Sequence, residues 1–143
     1  MAITDFHLLL LEDDPGRRES MLHAAHQAGL ERLRAFKDAI EARSYFDGVP
    51  EGVTPDGRVP SLLLLNLDDP SGMEILSWLR SRPKLRRVVA VGLFDRRDGQ
   101  VVGPAYDLHV NSCLVRPDVL DEQVTLFRSL RRYWEDLNQA PGL

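Results

Sequence analysis

The sequence lacks several features that would mark whole classes of protein. It has one cysteine, Cys113, in 143 residues, so it cannot form an internal disulfide and suits a reducing compartment. Its apolar runs are too short to span a membrane, and the first of them leads directly into Glu12, Asp13 and Asp14. That flank is too acidic for a signal peptide. We therefore expect a cytoplasmic protein that does not bind membranes.

Basic residues and a phosphate-binding loop are also scarce. The chain has 18 Lys and Arg against 22 Asp and Glu, with a net charge of −4, whereas nucleic-acid-binding proteins usually present a basic surface. No glycine-rich loop follows the first apolar run, and the acidic residues at that place would repel a nucleotide phosphate. These absences argue against nucleic-acid binding and against a nucleotide- or flavin-binding domain.

The sequence does contain short apolar runs without alternation, which are typical of strands covered on both faces. They lie at residues 8–11, 33–36, 62–65, 88–91 and 113–115. Segments with helical periodicity alternate with them, at 15–29, 39–46, 72–82 and 117–138. Between 94 and 110, two glycines and a proline predict only a short or distorted helix. This alternation predicts a parallel sheet between two layers of helices, and we expect residues 1–143 to form one domain.

Polar residues follow three of the predicted strands at the place where parallel sheets bind ligands, beyond the carboxyl ends. Glu12 and Asp13 follow the first run, Asn66 and Asp68 follow the run at 62–65, and Arg116 follows the last. Oxygen ligands gathered in this way suit a hard cation such as Mg²⁺. The residues alone therefore predict a present or former metal site at one edge of the sheet.

In these segments the sequence resembles the receiver domains of bacterial response regulators, in particular the single-domain regulators that partner phytochrome-type histidine kinases. The resemblance covers nearly the whole chain and rests on LLLLEDDPGRRESMLHAAHQAGL, LLLLNLDDPSGMEILSWLRSRP, VVAVGLFDRRDG and NSCLVRPDVLDEQVTLFRSLRRYW. It implies a flavodoxin-like (CheY-like) three-layer sandwich, whose five-stranded parallel sheet has the order 2-1-3-4-5.

The resemblance also implies where the chemistry of the family would lie, and most of those positions depart from the pattern. The acidic pair that holds magnesium is kept as Glu12 and Asp13, with the backbone carbonyl of Asp68 as a further ligand. The phosphate-accepting aspartate falls on Asn66. The other switch positions, which hold a serine or threonine, an aromatic residue and a lysine in the family, fall on Gly92, Cys113 and Arg116.

An amide at position 66 has a chemical consequence, because phosphoryl transfer to a receiver needs an anionic oxygen as nucleophile. We therefore predict a pseudo-receiver of two-component (phosphorelay) signalling that is neither phosphorylated nor an enzyme. It should bind Mg²⁺ weakly or not at all, with Arg116 paired to Glu12 or Asp13 in place of the metal. The alternative is a working receiver that accepts a phosphoryl group from a histidine kinase, with Asp68 as the acceptor.

The predicted function then depends on the protein surface. The resemblance implies a protein partner, either a histidine kinase or a phytochrome-type sensor, and related regulators pair through the fifth strand and last helix. We expect a homodimer, because the last helix carries apolar residues that suit an interface: Phe127, Leu130, Tyr133 and Trp134. The alternative is that these side chains pack in the hydrophobic core. This applies above all to Phe127, which continues the apolar stripe of its helix.

Overall fold

Five parallel strands form a single sheet in the order β2-β1-β3-β4-β5. The computed structural model describes residues 7–47 and 62–134. The strands are β1 (His7–Leu11), β2 (Arg32–Phe36), β3 (Leu62–Asn66), β4 (Ala90–Phe94) and β5 (Ser112–Val115). The predicted fold class and strand order are therefore confirmed.

Helices cover both faces of this sheet. They are α1 (Pro15–Gln27), α2 (Ala39–Asp47), α3 (Pro70–Ser81), α4 (Val102–Asp107) and α5 (Leu120–Arg132). The short α4 follows a 3-10 helix at Arg96–Val101, as the glycines and proline in that segment predict. Within the described ranges, no helix is long and apolar enough to cross a membrane.

The leucines of the central strands divide between two hydrophobic clusters, since successive strand residues point to opposite faces. Leu9 and Leu63 pack in the cluster that contains buried residues of α2 and α3. Leu8 and Leu64 pack in the cluster that contains buried residues of α1 and α5. Both clusters need apolar residues, which explains why β1 and β3 show no alternation in the sequence.

Two predicted elements, β4 and α5, each have one end that differs from the structure by three residues, since β4 ends at Phe94 and not at 91 and α5 begins at Leu120 and not at 117. Strand β4 begins at Ala90 and not at 88, because its register pairs Leu63 with Ala90 and Asn66 with Leu93. Gly92 therefore lies inside β4, and not beyond its end. Helix α5 begins at Leu120, because Val119 has an extended backbone with φ −106° and ψ 151°. Its predicted extension past residue 134 lies outside the described residues.

Candidate functional site at the carboxyl ends of the strands

Asn66 ends β3, and its side chain contacts both the acids that follow β1 and the arginine that follows β5. The residue is only 4% exposed. Its Nδ2 donates to Asp13 Oδ1 at 2.8 Å and to Glu12 Oε2 at 3.2 Å. Its Oδ1 accepts from the backbone N–H of Asp68 at 3.1 Å and from Arg116 at 3.3 Å. An ionised aspartate has no donor for the first two contacts, so the amide suits this position between the acids.

Glu12 is the most buried acid of the site, with 1% exposure. Its Oε2 accepts from Arg17 Nη1 at 3.1 Å and from the backbone N–H of Asp14 at 3.0 Å. Burial raises the pKa of Glu12 above its ordinary value of 4.5, and the hydrogen bond from Asp14 and the charge of Arg17 oppose that rise. Arg17, in the first turn of α1, is therefore the cation that pairs with Glu12.

This raised pKa predicts how Glu12 affects stability. The folded state holds the Glu12 proton more tightly than the unfolded chain does. Protonation of Glu12 therefore stabilises the folded state below pH 4.5, and this stabilisation is lost as the pH rises through the folded-state pKa. Relative to the native protein, Glu12→Gln should therefore become more stable as the pH rises across this window. Urea unfolding at a series of pH values measures the difference.

Glu19→Gln, at an exposed glutamate of α1, is the matched control for this series. A stability difference between Glu12→Gln and the native protein that stays constant with pH, or moves in the opposite direction, would contradict the account of Glu12.

Arg116 occupies the other half of the site, with a side chain only 6% exposed. Its Nη1 donates a short hydrogen bond to Asp68 Oδ2, and its Nη2 lies 3.5 Å from Asp95 Oδ2. Asp68 Oδ2 also accepts from the backbone N–H of Asp95 at 2.8 Å. This carboxylate therefore joins the ends of β3, β4 and β5.

The prediction that Arg116 pairs with Glu12 or Asp13 is wrong. Strands β3 and β4 lie between β1 and β5, which separates the two strand ends by roughly 14 Å at the usual strand spacing. The guanidinium therefore reaches the residues after β3 and β4. Asp68 is instead its main partner.

Gly92 lies in β4 between its register partners Leu65 and Cys113. A Cβ atom at position 92 would stand 2.3 Å from Leu67 Cδ1 and 2.7 Å from Leu67 Cγ. The Leu67 side chain thus occupies the space that a serine or threonine would need. Cys113 is half-buried against the hydrophobic cluster of this face, where burial raises the pKa of its thiol.

Metal binding at this edge depends on Glu12 and Asp13. Both acids accept hydrogen bonds from the Asn66 amide, so Mg²⁺ would have to displace a donor that already satisfies them. Within residues 7–47 and 62–134, no group of three or more His, Cys, Asp or Glu side chains is arranged to hold a metal ion. At position 66 the amide thus presents hydrogen-bond donors, and not an oxygen ligand, to the two acids that would hold the ion.

The four predicted interface residues do not share one environment. Phe127 is 0% exposed in the cluster between the sheet and α5, so its predicted role as a contact residue is wrong, and its core alternative is correct. Leu130 and Trp134 are partly buried against the same cluster. Tyr133 is 52% exposed and alone of the four presents most of its ring to solvent.

Comparison with known proteins identifies sequence relatives of this chain. No protein-family model matches the chain. The "Probable methanogenesis regulatory protein FilR2" of Methanothrix harundinacea is 28% identical, over 96% of this chain and 88% of the relative. The "Response regulator Rcp1" of Synechocystis is 24% identical, over 94% of this chain and 92% of the relative.

Solved structures of response regulators also resemble this chain. The phosphorylated cyanobacterial phytochrome response regulator RcpA superposes with a TM-score of 0.79 at 24% identity, over 96% of this chain and 99% of that structure. The chain is thus related, in sequence and in fold, to the receiver domains of response regulators, including single-domain phytochrome response regulators.

Proposed function

We propose that the protein is a pseudo-receiver, a two-component signalling domain that carries no phosphoryl group and acts through contacts with other proteins. The position of the Asn66 amide, between Glu12, Asp13 and Arg116, carries this proposal. A receiver is phosphorylated on a carboxylate, and an amide offers no anionic oxygen to attack phosphorus. Incubation with acetyl phosphate and Mg²⁺ should therefore leave the mass of the protein unchanged.

The surrounding charges support the same proposal. Asn66 donates to the acids of β1, and Arg116 pairs with the acid that follows β3. Each group that would take part in metal binding or phosphoryl transfer thus has a partner from the protein itself. Arg17 and Arg116 bring positive charge to Glu12 and Asp68, and the Asn66 amide donates hydrogen bonds to Glu12 and Asp13. We therefore propose that no metal is needed for folding or for partner binding.

A working receiver with Asp68 as phosphoacceptor is the second candidate. It is favoured by Asp68 Oδ1, a buried oxygen without a hydrogen-bond partner among the described residues. The other oxygen of this carboxylate is held by Arg116 and by the Asp95 backbone. Because Oδ1 is buried, attack would require the carboxylate to turn and give up these contacts, which is why we favour the pseudo-receiver.

We propose that the protein signals through the face formed by α4, β5 and α5. Several apolar side chains are exposed along these elements: Tyr106, Val115, Val119, Leu120 and Tyr133. An exposed apolar surface of this kind suits a protein interface. We propose two partners, a second copy of the chain and a sensor kinase. The sensor kinase is suggested by the phytochrome response regulators among the similar proteins.

The self-pairing part of this proposal predicts a homodimer at micromolar concentration. Tyr133→Ala removes an exposed aromatic side chain from the proposed interface and should weaken dimerisation by about tenfold. Light scattering of the native protein and of the variant, over a range of concentrations, measures the change.

Ile40→Ala is the matched control, because Ile40 is 75% exposed on α2, away from this face. Its dimerisation should equal that of the native protein. A native protein that stays monomeric at every concentration would rule out self-pairing and leave a heterologous partner as the only route.

A further inference from the structure

A cavity lies at the opposite end of the sheet from Asn66, where the strands begin. Its volume is about 800 Å³, which falls within the range of small-molecule binding sites. Residues in and just before β3, β4 and β5 form its walls, together with Arg80 near the end of α3 and the carboxyl end of α5. Its apolar lining includes Leu62, Val91, Leu114, Leu130 and Trp134.

Three arginines are the charged residues among the described residues that line this cavity. They are Arg80, Arg86 and Arg87, and no acidic residue within 7–47 and 62–134 lines it. The same three arginines line a second cavity of about 410 Å³, together with His109 and Asn111. The arginines therefore line both cavities.

Arg80 is held in position by neutral acceptors. Its guanidinium donates to the backbone oxygens of His109, Arg86 and Val88 at 2.9, 2.8 and 2.7 Å, and to Asn111 Oδ1 at 2.9 Å. Burial lowers the pKa of Arg80, and none of these four partners brings a negative charge to offset that burial. These contacts use four of the five guanidinium N–H groups, so Arg80 would attract a carboxylate chiefly through its charge, held at a fixed position.

We propose that this cavity binds a small amphipathic carboxylate. The carboxylate would bind at Arg80 and Arg86, and the apolar body would pack against Leu114 and Trp134. The combination of an apolar chamber and arginines at its border selects a molecule with both properties, since neither a fully polar anion nor an uncharged hydrocarbon would satisfy both parts of the site. This site is separate from Asn66 and does not depend on the pseudo-receiver proposal.

Titration with linear alkanoates of about six to ten carbons tests the proposal, below the concentration at which each forms micelles. Calorimetry should show one site per chain, and affinity should rise about fourfold with each added methylene that the cavity buries. The primary alcohol of matched length should bind at least about tenfold more weakly, because it lacks the charge. Fluorescence of Trp134 should change in step with the heat.

Substitutions at the cavity test whether the carboxylate binds there. The double variant Arg86→Glu and Arg87→Glu reverses two exposed charges at the cavity and should lower affinity by about tenfold. Arg128→Glu, at an exposed arginine of α5 that does not line the cavity, should leave it unchanged. Leu114→Trp fills part of the chamber and should reduce binding. Absence of binding, equal affinity for the alcohol, or unchanged affinity in the double variant would each overturn the proposal.

Discussion

Replacing Arg116 with methionine should destabilise the protein by about 3 kcal/mol, a typical cost of removing one partner from a buried ion pair. The side chain is 6% exposed and contacts Asp68, Asp95 and Asn66. Methionine fills much of the same volume, so the loss would come chiefly from the charge. Without the guanidinium, Asp68 would remain partly buried beside Asp95 with no cation in contact. Urea unfolding measures the loss.

Magnesium distinguishes this explanation from a simple packing defect. The native protein should gain no stability from millimolar Mg²⁺, because the acids already have internal partners. Arg116→Met should recover part of its lost stability in Mg²⁺, since a cation that binds the folded state preferentially stabilises it. Arg97→Met is the matched control, because Arg97 also pairs with Asp95 but its side chain is 89% exposed. Unchanged stability of Arg116→Met, or no response of that variant to Mg²⁺, would contradict the account.

Replacing Gly72 with alanine should also destabilise the protein, by more than about 2 kcal/mol. Gly72 lies in the first turn of α3, where a Cβ atom would stand 2.1 Å from the carbonyl oxygen of Asn66 and 2.9 Å from its carbonyl carbon. These are backbone atoms, which cannot move aside as a flexible side chain can. Alanine therefore requires α3 or the end of β3 to shift, and the Asn66 side chain would shift with them.

Gly103→Ala provides the matched control for this variant. Gly103 lies in α4, and its added Cβ would meet nothing within 4 Å. Alanine is favoured over glycine in a helix by about 1 kcal/mol, so this variant should be neutral or slightly more stable. Thermal unfolding of the two variants tests the contrast, and equal stabilities would show that α3 does not pack closely against Asn66.

The sequence predicts the fold well because its strongest signals are local. Unalternating leucines at 8–11 and 62–65 mark strands that are buried on both faces, and helical periodicity marks the segments between them. Helix and strand ends are harder, because pairing between strands determines them. Gly92 directly follows an apolar run in the sequence, yet the register of β4 against β3 places it inside the strand.

The contacts between residues of the site are harder to predict than the residues that form it. The sequence indicates that Glu12, Asp13, Asn66 and Arg116 gather at one edge, but not which of them touch. Strand order alone would have separated Arg116 from Glu12, since two strands lie between β1 and β5. The sequence pattern does not single out Arg17 as the partner of Glu12, although its place in the first turn of the helix after the acidic loop is a usable signal.

The inability of Asn66 to accept a phosphoryl group is the central claim, and intact-mass analysis tests it most directly. The native protein and Asn66→Asp are incubated with acetyl phosphate and Mg²⁺, beside a working receiver as positive control. The native protein should gain no phosphoryl mass. Asn66→Asp should gain little, because Leu67 fills the space beside Gly92 and because Arg116 is already hydrogen-bonded to Asp68 and to the residue-66 side chain. A phosphoryl adduct on the native protein, mapped to Asp68 or Asp13, would contradict the pseudo-receiver account.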